Sequence, residues 1–161
     1  YFLSGGYHKL PMITSEAISK DDILSGRCFN LNWLKAHGLK ASYKNKKLTA
    51  SPRAARIYNN ITPTKCNFKG ANASAWKVDL LHVNGFDEMM VWGGLDRELG
   101  VRLENSGIKS KHVRYNALVL HLYHKRSYKR PEMVKANKSL RLFREKKNIT
   151  WTNQGIKKVD Q

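Results

Sequence analysis

Acidic residues are scarce in this chain. Its 161 residues include 12 Asp+Glu against 30 Lys+Arg, a formal net charge of +18. That balance argues against a cationic partner and for an anionic one: nucleic acid, acidic lipid or a nucleotide-activated substrate. Cysteine is scarce too. Cys28 and Cys66 fit neither a disulfide framework nor a zinc site, so two free, buried thiols in a reducing compartment are expected. No run approaches the ~18 apolar residues of a membrane-spanning helix, and no signal-peptide pattern opens the chain. Internal repeats and low-complexity segments are missing, and there are only 4 Pro and 11 Gly. What remains is an ordinary globular composition, 41% hydrophobic and 26% charged, enough for one domain with its own core. Tyr1-Phe2-Leu3 reads as a strand already under way, so further polypeptide is expected upstream.

What is present is organised around residues 84–107. Asn84-Gly85 is a turn signal, and a short apolar run ending at Trp92 leads to the pair Gly93-Gly94. Leu95, Leu99 and Leu103 are spaced four apart and Gly107 is a stop signal, which predicts a helix that opens directly after the glycines. Asp96 then falls in its first turn, where unsatisfied backbone N–H groups and the positive end of the helix dipole favour a carboxylate. Gly93 and Gly94 allow another molecule to approach the backbone closely, and Trp92 offers a flat face beside them. Two readings fit this pattern: a sugar or nucleotide site, or an acidic first turn on an ordinary amphipathic helix.

Elsewhere the signals are mostly structural. Residues 1–13 read as a strand in which Ser4-Gly5-Gly6 turns the chain. Ser19-Lys20-Asp21-Asp22 reads as a helix-start box, which makes Asp21-Asp22 a capping pair rather than a metal site. Residues 28–36 predict a short helix with Leu31, Trp33 and Leu34 facing inward. Lys35 to Arg56 holds seven basic and no acidic residues, interrupted by Ser51-Pro52, and reads as an exposed, partly mobile loop region. Along residues 68–75 the composition turns small and uncharged after Phe68-Lys69, suited to close packing or to a backbone running beside a ligand. Residues 76–83 predict a short amphipathic helix. Residues 112–124 predict a buried strand ending in His121-Leu122-Tyr123-His124. A straight strand sends residues three apart to opposite faces, so the two imidazoles converge only if the chain bends. A metal-ligand role and a structural role are both open for them. The basic tail predicts a helix over 131–147.

Three blocks together resemble family 2-type glycosyltransferases with the GT-A fold, in their C-terminal, acceptor-side half, and the related galactosyltransferase C-terminal module. They are Phe68-Lys-Gly-Ala-Asn72-Ala-Ser-Ala-Trp-Lys77 running on to Glu88, then Trp92-Gly-Gly-Leu-Asp96-Arg-Glu-Leu-Gly-Val-Arg102-Leu, and finally His121-Leu-Tyr-His124. The resemblance covers about residues 68–124. It implies an α/β fold, a mixed sheet flanked by helices, forming part of a GT-A domain whose N-terminal nucleotide-binding half is missing. Residues 1–124 would be the acceptor-side part and residues 125–161 a basic, mainly helical extension.

The resemblance also implies roles. Asp96 falls on the catalytic base, while Trp92, Gly93, Gly94 and Asn72 fall on substrate-binding positions. His124 aligns with a histidine that completes a divalent metal site for Mn²⁺ or Mg²⁺, and His121 falls where some relatives place a second ligand. The partners implied are a nucleotide-diphosphate sugar donor and a glycan or glycolipid acceptor. The setting implied is cytoplasmic and bacterial, with peripheral contact at an acidic membrane face and no specific nucleic acid. Two departures stand out: Leu95 replaces the Glu that usually precedes the base, and no Asp-x-Asp motif occurs in the chain. The competing reading is a basic nucleic-acid-binding domain without catalytic activity. It accounts for the charge but gives residues 92–96 no role.

Overall fold

Short polar residues fix where several helices of this chain begin. In the computed structural model, which describes residues 1–125, 127 and 130–158, Ser19 opens α1 (Lys20–Leu24) through a capping box with Asp22. Asn30 opens α2 (Leu31–Ala36) by accepting from the amides of Asn32 and Trp33. After α3 (Lys46–Thr49), the Ser51 hydroxyl accepts from the Ala54 amide to open α4 (Pro52–Ile61). The loop region expected over residues 35–56 is thus corrected to largely helical structure. Ser-Pro here is a cap followed by a proline at the first helical position, where its missing N–H costs nothing. The remaining helices are α5 (Lys77–His82), α6 (Leu95–Asn105) and α7 (Pro131–Lys146).

The strands are β1 (Phe2–Leu10), β2 (Ala73–Ser74) and β3 (Ser110–Leu122). They form a three-strand mixed sheet flanked by helices, in the order β2-β1-β3. The β1–β2 pair is antiparallel, with Leu3 opposite Ser74 and Ser4 opposite Ala73. β1 runs straight through Ser4-Gly5-Gly6, where a turn was expected. A Cβ on Gly6 would lie 2.1 Å from the Arg114 carbonyl oxygen, so this glycine serves close backbone approach. β3 is at most half-buried along its length, not buried as its apolar run suggested. Among the described residues it is an edge strand with one neighbour in the sheet.

The chain forms two compact units. The first contains Tyr1–Ser4, Lys65–Lys111 and Ser127–Gln161, and the second contains Gly5–Thr64 and His112–Arg126. The first has a core of Phe2, Phe68, Val83, Leu99 and Leu103, with the Phe2 and Phe68 rings edge-to-face at 5.6 Å. The second has a core of Leu10, Ile13, Leu34 and Leu39, against which Leu31 and Trp33 pack. Neither cysteine forms a disulfide. Cys28 is buried as expected, whereas Cys66 is only half-buried. Among the described residues no helix is long and apolar enough to cross a membrane.

Candidate functional site

Two successive left-handed residues make the approach to α6. Gly93 and Gly94 have φ of +93° and +98°, a conformation that costs L-residues strain. Their reversal launches the helix at Leu95 and sets Asp96 in its first turn, half-buried. Asp96 Oδ1 accepts the Arg97 amide at 2.8 Å, and Oδ2 accepts the Gly70 amide at 3.0 Å. Gly70 lies in the small-residue run, in a turn where the Asn72 amide donates to the Lys69 carbonyl at 2.8 Å. A Cβ at Gly70 would stand 3.6 Å from that of Asp96. The first unit therefore brings Asp96, the two glycines and the Asn72 turn together, with Trp92 half-buried at the start of the hinge. Two amide donors orient the carboxylate plane and leave each oxygen a second lone pair.

The hinge is held from α7. Asn137 Nδ2 donates to the carbonyls of Trp92 at 2.9 Å and Gly93 at 3.1 Å. A Cβ on Gly93 would meet Val134 Cγ2 at 2.9 Å. Seven residues beyond Asn137, Arg144 enters a buried ionic cluster. Its guanidinium donates to Glu98 Oε1 and Asp87 Oδ2, each at 2.5 Å. Arg102 binds Glu98 through two N–H groups at 2.7 and 2.9 Å and also donates to the carbonyls of Val83 and Gly85. Glu98 and Arg102 are both 0% exposed. Burial alone would raise the Asp87 pKa, but bonds from Thr152, Arg144 and the Met89 amide, with the Arg144 charge, hold it below the ordinary carboxylate value. Burial works against the Arg144 cation in the same way, and Glu98 and Asp87 outweigh it to raise its pKa.

The chain after α7 folds back onto the Asn84-Gly85 turn. Asn84, at φ +64°, donates through Nδ2 to the carbonyls of Thr152 and Lys157 and accepts the Lys157 amide at Oδ1. A Cβ on Gly155 would lie 1.8 Å from the Asn84 carbonyl oxygen. The Thr152 hydroxyl reaches Asp87 at 2.8 Å. Asn84 was read only as a turn residue and Gly70 only as part of a small-residue run, and none of Asp87, Glu98, Arg102, Asn137, Arg144 or Thr152 stood out in the sequence as a supporting residue. For the ionic cluster a signal was available in Glu98-x-x-x-Arg102, the spacing of a helical ion pair, which reads as a surface feature without knowledge of burial.

His121 and His124 belong to the second unit. Their ring centroids are 5.1 Å apart and edge-on, and the His121 ring also lies 5.0 Å from that of Tyr7. β3 ends at Leu122, so the chain leaves the strand between the two histidines and the rings converge. His124 Nδ1 faces the Lys125 carbonyl at 3.1 Å. A carbonyl only accepts, so Nδ1 carries the proton and Nε2 keeps the lone pair that a metal would take. Among the described residues no group of three or more His, Cys, Asp or Glu side chains is gathered. The two imidazoles are thus neighbours without a third such side chain beside them among the described residues. Arg126, in the basic stretch that follows His124, lies outside the described residues.

Residues 57–125 match the family model described as the N-terminal domain of galactosyltransferase. The match covers Trp92, Asp96 and both histidines, and supports a glycosyltransferase-like domain with a general glycosyltransferase role. Such a domain works on a nucleotide-sugar donor and a glycan acceptor. The family's description names an N-terminal domain, whereas the motifs above resembled a C-terminal module; both point to the same class of enzyme. No curated protein and no solved structure gives a match.

Proposed function

We propose that this chain is the acceptor-side part of an inverting, family 2-type GT-A glycosyltransferase, with Asp96 as its catalytic base. The observation that carries the reading is the Asp96 carboxylate, half-exposed at a helix start with both oxygens oriented by backbone amides. In the reaction a hydroxyl of a glycan or glycolipid acceptor attacks C1 of the donor sugar. As the new C1–O bond forms, the bond from C1 to the nucleotide diphosphate breaks, and the hydroxyl proton passes to Asp96. Trp92 supplies the acceptor platform, and Gly93, Gly94 and Asn72 line the approach. His124, with His121, would hold a Mn²⁺ or Mg²⁺ ion, whose chemistry is to neutralise charge building on the departing diphosphate. The Asp-x-Asp pair that such enzymes use, absent from this chain, would come from polypeptide outside it. The net charge of +18 suits a bacterial enzyme of surface-polysaccharide assembly working at the acidic inner face of the membrane.

Asp96→Asn tests the reading in the complete protein, with turnover followed as UDP release from UDP-galactose in the presence of candidate glycan acceptors. Turnover should fall at least ~10²-fold, the usual loss with a general base, while binding of the nucleotide sugar is unchanged. Near-normal turnover would remove Asp96 from the mechanism. The same charge favours a second reading, a nucleic-acid-binding domain, which predicts steeply salt-dependent binding to random DNA.

A further inference from the structure

We infer that Asn137 is a positioning residue for Asp96, and that α7 belongs to the working site. This rests on Asp96 being the base. A hinge of two adjacent glycines is the freest backbone a chain can offer, yet it directly precedes a group whose misplacement by 1 Å can cost about 10²-fold in rate. Something outside the hinge must remove that freedom. The helical ladder of α6 cannot, because its first bond runs from the Glu98 amide to the Gly94 carbonyl, leaving the carbonyls of Trp92 and Gly93 upstream of it. Asn137, itself 9% exposed, caps both carbonyls with one amide group.

The same stripe of α7 grips the other side of Asp96. Val134, Asn137 and Arg144 follow at i, i+3 and i+10 and so share a helix face. Val134 covers Gly93, Asn137 holds residues 92 and 93, and Arg144 bonds Glu98 at 2.5 Å. Contacts from one helix therefore bracket the base, before it in the chain and after it. α7 lies wholly beyond residues 57–125, the stretch matched by the family model.

The test is Asn137→Asp in the complete protein, a change that keeps shape but replaces the donor with an acceptor against two carbonyls. Asn137→Ala serves as a second variant that adds no charge. With UDP-galactose as donor and candidate glycan acceptors, kcat should fall between about tenfold and a hundredfold, with donor KM unchanged. Amide hydrogen exchange should quicken over residues 93–97. Combined with Asp96→Asn, neither change should lower kcat beyond Asp96→Asn alone, because a positioning residue has nothing left to position. If Asp96→Asn abolishes turnover but both Asn137 variants keep wild-type kcat, the inference is overturned while the base assignment stands. A further additive loss in the double variant would also overturn it, since Asn137 would then act elsewhere. Normal turnover of Asp96→Asn would remove the base and this inference together.

Discussion

Asp96 and Glu98 lie two positions apart on α6, and their surroundings differ in the respects that decide what a carboxylate can do. Glu98 is fully buried, bound by two N–H groups of Arg102 and one of Arg144. Arg102 is satisfied in turn by the carbonyls of Val83 and Gly85. Charge of this kind is neutralised by charge, closed to substrate, and withstands burial because each charged group has found its partners. Asp96 is half-exposed and bonded by neutral backbone amides. Among the described residues it is oriented without a charged partner, and acceptor capacity remains. The difference separates a carboxylate that holds the fold from one able to take a proton.

The strongest way to break that contrast is Arg102→Met. Glu98 would lose its two-point partner inside the protein and two carbonyls would lose their donor, so roughly 3–5 kcal/mol of stability should disappear. Urea denaturation measures this, and a loss below about 1 kcal/mol would show that the cluster is not what holds the fold.

A smaller effect, gated by pH, belongs to Asp87. Its folded-state pKa is lowered from an unfolded value of about 3.9. Above about pH 5 its contribution is fully present. As the pH falls from there through the lowered value, the unfolded chain binds the proton first and stability is lost. Between about pH 5 and pH 3, wild-type protein should lose more stability than Asp87→Asn, and equal losses would mean that other carboxylates set the acid limit.

The smallest effect sharpens the comparison from its other side. Asp96→Asn keeps an oxygen and its shape, so stability should move by no more than about 0.5 kcal/mol even as turnover collapses. A larger drop in the urea midpoint would place Asp96 with Glu98 among the residues that hold the fold.

Much of the local structure was legible because it depends on neighbours in sequence. The Ser19 box, the helix opening after Gly94 with Asp96 in its first turn, and the short helix after Trp76 follow from caps, glycines and apolar spacing. Ser51-Pro52 was legible in principle but read as a break, since the same pair can end one element or begin the next. The buried cluster was out of reach. Arg144 meets Glu98 across 46 positions and Asp87 across 57, and nothing in a single sequence distinguishes an arginine bound for the interior from those on a basic helix face. Gly70 was noticed as part of a small-residue run, but its partner could not be, because a backbone amide leaves no trace in the sequence of where it points.

The return of residues 152–157 to Asn84 bears on how the protein is made. Thr152 trails Asn84 by 68 residues, and at about 5–20 residues per second it leaves the ribosome roughly 3–14 s later. Through that interval the Asn84 side chain, the Asp87 carboxylate and the partners of Arg144 have all been synthesised, but the segments that complete them have not. The motif around Asp96 is thus among the last parts of its unit to be finished, and in the meantime its unpaired charges need water or a chaperone for company.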